Sequence, residues 1–440
     1  MFGARGMNDI VHNPVSGSRS GPSRRARKAV AAASIGNALE WYDFTVYALF
    51  AVYIARNFFP GGSDTVELVK SFLAFGLGFL IRPLGAVVLG IYADKAGRKA
   101  ALFLTIMIMA VGTLLIAIAP TYAAIGIGAP LLILTARVLQ GFSAGGEVGS
   151  AAAFLVEHAP EGEKGKYASW LQASMAISNI IGALVAFAVT SLLVEDQIGA
   201  WGWRIPFVLG LLIAPVGLWL RRSLDETPEF RVAFDEKYGA RHKDHTPLKA
   251  IFLQHGGALI KGTAFSVLWA SGPYVLVIYM PIYVQRAFGF TGSQAFTASL
   301  IGNVLLAIGC VASGALSDRF GRRRTLAIGA SIILVAVHPL LWWLQASPTL
   351  SVLITVQCCF CLMVASVVGI APSALSEMFP THVRSTGMSL AYNISTTIFG
   401  GFAPATLTWL GATSIGYSAP ASYVSISALI ALAAIFRMKN

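Results

Sequence analysis

The stretch GIYADKAGRK at 90–99 decides the fold, because it returns as GALSDRFGRR at 314–323. Gly90, Asp94, Gly97 and Arg98 recur as Gly314, Asp318, Gly321 and Arg322, each displaced by 224 positions. A second pair keeps nearly the same offset: Glu157 and Pro160 in VEHAP return as Glu377 and Pro380 in SEMFP, displaced by 220. Two independent matches at about half the 440-residue length mark an internal repeat.

Both copies sit between long apolar runs. Hydrophobic residues make up 56% of the chain and charged residues 12%, whereas about a quarter of a soluble domain is charged. No water-soluble core absorbs that much apolar surface, and at roughly 20 apolar residues per span the chain has room for about twelve to fourteen membrane helices. Spans are expected at about 29–56, 65–93, 99–119, 125–156, 167–194, 202–221, 250–286, 293–317, 324–346, 350–378, 385–410 and 418–437. The fold class is all-α and integral to the membrane, with twelve transmembrane helices in two six-helix halves.

Loop charge supplies an orientation, since short cytoplasmic loops carry the Lys and Arg excess. DKAGRK, EGEKGK, the long segment around 222–249, DRFGRRR and FPTHVR fall on one side. The opposite loops hold no Lys or Arg, and VEDQIGA is acidic. Both termini are therefore expected in the cytoplasm. Residues 1–27, rich in Ser, Gly, Pro and Arg, read as a disordered cytoplasmic tail, 28–221 as the first bundle, 222–249 as a cytoplasmic connection and 250–440 as the second bundle. The net charge of +12 lies in these inter-span segments, which argues against a nucleic-acid partner and for a lipid bilayer. Cys310, Cys358, Cys359 and Cys361 lie in apolar runs without metal-ligand spacing. No metal is expected.

An ionisable side chain near the bilayer centre costs about 2.5–3.5 kcal/mol even on the lenient insertion scale, so it faces a cavity or a partner. Glu40, Asp43, Arg82, Arg137 and Glu147 are the strongest examples, all in the first half. A rise of 1.5 Å per residue puts Glu40, Arg82 and Glu147 roughly 15–18 Å deep, Asp43 roughly 22 Å and Arg137 roughly 30 Å. Asn37 shares a face with Glu40 and is a candidate to bind the solute. A carboxylate in this setting is desolvated and also feels a nearby arginine, so its protonation can follow the opening of a cavity. Glu40, Asp43 and Glu147, with Arg137, are the candidates for proton coupling. A permanent structural ion pair of Glu40 with Arg82, or of Glu147 with Arg137, is the competing reading. Arg82 offers a planar fork for a carboxylate. The second half would contact a solute through neutral groups, with Tyr274, Tyr279, Asn303, Tyr392 and Asn393 as candidates and Gln140 added from the first half. Each of these also serves as ordinary helix-to-helix glue. Lys261 is a deep-looking cation that could instead snorkel, and His338 beside Pro339 is read as structural rather than as a relay.

The paired G-x-x-x-D-x-x-G-R-[KR] loops resemble those of the major facilitator superfamily. GNALEWYDFTVY at 36–47, FLIRPLGA at 79–86, RVLQGFSAGGE at 137–147, WGWRIPF at 201–207 and FPTHVR at 379–384 are similar to its metabolite:proton symporters. That resemblance implies uptake of a small organic acid with protons by alternating access, or uptake of a zwitterionic osmolyte such as proline or betaine. It implies no cofactor beyond the proton gradient, a monomer, and a bacterial inner membrane. The loop motif reads as a cytoplasmic gate formed by Gly90, Asp94, Gly97, Arg98, Glu157, Gly314, Asp318, Gly321, Arg322, Glu377 and Arg384, in which an Asp pairs with an Arg or with an exposed helix N-terminus across the bundle. No Walker, HExxH or GxSxG motif occurs, so an enzyme is not expected.

Overall fold

The computed structural model describes residues 24–96, 98–157, 159–211, 215, 247–380, 383–413 and 416–438, all helical or in turns. Most of the tail at 1–27 and of the connection at 222–249 lies outside the described residues. The chain forms twelve membrane spans. Helix α1 runs Arg24–Leu49 and continues as Ala51–Phe58; α2 is Asp64–Ala96, α3 Arg98–Ile118, and α4 Gly128–Ala144 followed by Glu147–Glu157. Helix α5 is Lys164–Leu192, and α6 follows the turn Gly202–Arg204 and is described to residue 211. In the second half α7 runs Gly256–Pro273, Tyr274–Tyr279 and Met280–Phe288; α8 is Gly292–Phe320, α9 Arg322–Ala346, and α10 Leu350–Val368 with Ala371–Glu377. Helix α11 runs Arg384–Ser395, Thr396–Gly401 and Ala403–Leu410, and α12 is Ala419–Phe436. A short helix, Pro247–Gln254, precedes α7 and is separated from it at His255, where a single span from 250 was expected.

Local chemistry sets the ends. Thr291 caps α8 by accepting from the Gln294 N–H at 3.3 Å, while Gln294 Oε1 accepts from the Thr291 N–H at 3.0 Å, a reciprocal box that satisfies two orphan donors. At the other end Gly321 takes φ 86°, a conformation that costs glycine least, and turns the chain into α9. This glycine is the repeat residue of the second loop motif. The wider π turns at Tyr274–Tyr279 and Thr396–Gly401 interrupt α7 and α11 at matching places in their spans. Such turns release backbone carbonyls and cluster at functional sites.

Helices α1–α6 pack on one another, as do α7–α12, and the two sets meet along α5 with α8 and α2 with α11. Within the first set α2 and α4 approach backbone to backbone. A Cβ on Gly141 would lie 1.8 Å from the Gly78 carbonyl oxygen, and one on Gly145 would lie 1.9 Å from that of Arg82. Only a stripe of small residues allows this, and in lipid such stripes bring helices together because burial from water contributes little there. The consequence is positional: Arg137 and Arg82 are carried on two helices locked in register. Outward faces present apolar side chains such as Leu80, Leu84, Ile118 and Val335.

The two sets touch at three levels. At the basic face Asp318 of α8 accepts from the backbone N–H of Gly165 at 2.8 Å and of Lys166 at 2.9 Å, in the first turn of α5. In the middle, Asn179 donates to Asn303 at 3.1 Å, Asn393 to the Gly145 carbonyl at 2.9 Å and Thr397 to the Phe79 carbonyl at 2.9 Å. At the opposite face Arg286 donates to Thr65 at 2.7 Å, and Ser191 meets Ser293 at 3.3 Å. With both faces in contact, the middle of the bundle is occluded.

Candidate functional site

The occluded middle holds the charges. Glu40 and Asp43 are 6% exposed, and Arg82 and Arg137 are 0% exposed. Arg82 projects from α2 into an aromatic cage, its guanidinium carbon 4.2 Å from the Phe79 ring centre, 4.7 Å from Phe44 and 5.4 Å from Trp41. Attraction to ring faces partly replaces the water that the cation lost. Its nearest carboxylate oxygen, Oε1 of Glu40, is 3.7 Å from Nη2. That distance carries Coulomb attraction but exceeds hydrogen-bond length, and Nε, Nη1 and Nη2 of Arg82 have no acceptor. The pairing expected from matched depth is present, and it leaves the arginine fork unused.

Asp43 belongs to a second cluster. Arg137 Nη1 donates to Gln140 Oε1 at 2.7 Å, Gln140 Nε2 donates to Thr113 Oγ1 at 3.1 Å, and the Thr113 hydroxyl donates to Asp43 Oδ2. Arg137 and Asp43 are thus joined through two neutral side chains, so Gln140 sits in a relay rather than facing a cavity. Arg137 is also ringed by Phe44, Tyr47 and Phe75, 4.5, 4.6 and 5.0 Å from its guanidinium carbon. Phe44 therefore contacts both guanidiniums. The relay depends on Thr113 of α3, which gave no signal in the sequence because threonine is common in spans. Glu147 is half-buried at the start of the second segment of α4. It is ten residues from Arg137 along that span, roughly 15 Å.

The second half faces these charges with neutral groups. The Tyr274 ring lies 6.0 Å from Trp41 and 5.3 Å from Phe79, and its hydroxyl, which is buried, has no partner. Tyr392 packs at a tilt against Trp269, ring centres 4.4 Å apart, and is near enough to Arg82 and Glu40 to feel their charges. The other candidates bind protein. The Tyr279 hydroxyl accepts from Thr408 at 3.2 Å, Asn37 donates to Leu171 and Ser174, and Asn303 and Asn393 bridge the two sets. Lys261 is exposed on α7, as a snorkelling cation is. His338 lines a cleft of about 220 Å³ with Trp342, Gln345 and Tyr417, towards the opposite face and away from the charges.

At the basic face the second loop motif joins the two sets. Besides capping α5, Asp318 accepts from Arg322 at 3.3 Å, and Arg322 also donates to Glu377 and, at 2.9 Å, to Ser373. Arg384 donates to the Ser376 carbonyl at 3.1 Å. In the first copy Gly90 lies inside α2, while Gly97 and the side chains of Asp94, Arg98 and Glu157 lie outside the described residues. A carboxylate on two N-terminal N–H groups is stabilised by charge-assisted bonds and by the helix dipole. Asp318→Asn should weaken the closed basic face by about 1–2 kcal/mol. The expected result is slower turnover, by roughly ten-fold, with half-saturation little changed in tracer uptake. Lost affinity at normal turnover would count against a gate.

A polytopic helical bundle with an occluded, charge-lined centre and contacts at both faces defines a membrane transporter. The chain belongs to the major facilitator superfamily, whose family model matches residues 33–404. It is 37% identical over 407 residues to the citrate-proton symporter of Salmonella typhi, covering 92% of each chain. It is 36% identical to the alpha-ketoglutarate permease of Escherichia coli strain K12, covering 87% of each. With the proline/betaine transporter of the same organism it shares 33% identity, covering 94% of this chain and 84% of that one. The fold matches the crystal structure of a D-xylose-proton symporter with a TM-score of 0.73 at 17% identity, covering 92% of this chain and 97% of that one.

Proposed function

We propose that the protein imports a small organic acid, of the di- or tricarboxylate class, together with protons across a bacterial cytoplasmic membrane, with both termini inside. The observation that carries this reading is the Arg82 guanidinium, fully buried beside Glu40 with no hydrogen-bond acceptor on any nitrogen. A buried donor set left unused in the protein alone is costly, and a substrate carboxylate supplies the missing acceptors. The relatives named above act on citrate, α-ketoglutarate, proline and betaine, solutes that share a carboxylate.

Coupling follows from competition for one cation. When a substrate carboxylate takes the Arg82 fork, ionised Glu40 loses its counter-charge in a water-poor site and takes up a proton. Release on the other side reverses both events together. Asp43, held through Thr113 and Gln140 to Arg137, is a second carboxylate able to take part. The lock at Asp318 opens and closes the basic face around this centre. Right-side-out vesicles should therefore accumulate citrate or α-ketoglutarate when the outer medium is acid, and a proton ionophore should abolish it. Accumulation unaffected by the ionophore would exclude proton coupling. Accumulation only in inverted vesicles would reverse the orientation.

A further inference from the structure

We propose that α7 carries a second, neutral carboxylate subsite, formed by the indole N–H of Trp269 and the hydroxyl of Tyr274, so that the site is built for an acid with two carboxylate ends. The proposal rests on Arg82 holding the first end. Trp269 and Tyr274 are each 1% exposed, and neither Nε1 of Trp269 nor the hydroxyl of Tyr274 has a hydrogen-bond partner. Ser266, one turn before Trp269 on the same helix, is buried with an unpartnered hydroxyl as well.

These groups belong to the charged centre. Tyr274 packs against Trp41 and Phe79, two walls of the Arg82 cage, and is near enough to Arg82 and Glu40 to feel their charges. The Trp269 ring packs at a tilt against Tyr392, which feels Arg82 and Glu40 in turn. The break at Pro273 and the π turn that begins at Tyr274 set the two donors on either side of a change in helix geometry.

The chemistry of the set selects the ligand. Both groups donate, and an indole N–H can only donate. Arg82, whose aromatic cage shares Trp41 and Phe79 with Tyr274, also only donates, so the best ligand is rich in acceptors at both ends. The one cation found among the described residues on this helix before its outer end, Lys261, is exposed, so the second carboxylate is held by neutral donors, as carboxylates often are. A quaternary ammonium, or the ring methylenes of proline, would leave both donors buried and unsatisfied, and discrimination of this kind is large because unpaired polar groups are penalised in full.

The test is equilibrium binding to purified protein of succinate, α-ketoglutarate and citrate against acetate, proline and glycine betaine. The unmodified protein should prefer the dicarboxylates, and monomethyl succinate should bind roughly ten-fold more weakly than succinate. Trp269→Phe, which removes the indole N–H but keeps an aromatic side chain, and Tyr274→Phe, which removes only the hydroxyl, should each lower the succinate-to-acetate preference by roughly ten-fold. Preference for betaine or proline would overturn the subsite, as would an unchanged ratio in both variants or equal binding of the ester. The ester comparison needs no folded variant. Arg82→Gln separates the two levels: if it keeps full affinity for every acid, the underlying carboxylate reading falls too, whereas Arg82-dependent binding with no dicarboxylate preference overturns the subsite alone.

Discussion

Glu40→Gln protein should still exchange internal for external substrate but should fail to accumulate it, the internal level rising only to the external one. Glutamine preserves the size and much of the hydrogen bonding of Glu40 while fixing a neutral state that mimics permanent protonation. Exchange requires only that the loaded carrier reorient, so a carrier that cannot lose its proton still performs it. Net accumulation requires the empty carrier to return deprotonated, and that step is lost. The same substitution removes the one carboxylate found beside Arg82 among the described residues, 3.7 Å from it. If Glu40 were no more than the structural counter-charge of Arg82, stranding that cation would cost about 3–5 kcal/mol and appear as lost folded protein. The comparison is accumulation against exchange, scaled to protein surviving detergent extraction. Normal accumulation would remove Glu40 from the coupling role and transfer it to Asp43, the other carboxylate in the buried centre.

Arg82→Lys is the second large effect, and the retained charge makes it informative. An ammonium offers three donors on a flexible stem, not a rigid planar fork, and loses the broad contact of the guanidinium with Phe79, Phe44 and Trp41. Charge-assisted hydrogen bonds contribute about 1.5–3 kcal/mol each, so losing one good bond and its alignment should weaken substrate binding by about 100-fold. Glu40 would keep a cation nearby, so folded yield should hold. Half-saturation of tracer exchange reads the effect directly. A value within about three-fold of the parent would mean that Arg82 is a buried counter-ion and that substrate binds elsewhere.

How far the site was legible follows from the chemistry of its parts. Charged residues inside apolar runs stand out against the cost of burying them, so Glu40, Asp43, Arg82 and Arg137 were visible from sequence, and one helical rise matched Glu40 to Arg82. The repeated loop pointed to the basic face, where the Asp318 of its second copy sits on the N-terminus of α5. Neutral groups carry no such signal. Thr113 and Trp269 look like any span residue, and their roles depend on which face of the helix meets which neighbour. The same ambiguity made Asn303 and Asn393 plausible ligand groups, although both join the two halves. The π turns of α7 and α11, which touch each other, left no mark in the hydrophobic pattern.

The pairing of two buried carboxylates with two buried arginines also sets how the carrier responds to voltage. With Glu40 and Asp43 ionised against Arg82 and Arg137, the empty centre has no net formal charge and can reorient without electrical work. A dianion that enters with one proton gives the loaded centre one negative charge, and an inside-negative membrane opposes its inward movement by about 2.3 kcal/mol per 100 mV. A second proton on the other carboxylate restores neutrality. A carrier with two titratable acids can thus bring in a dianion electrically silently in both half-cycles, drawing on the pH difference and leaving the membrane potential untouched.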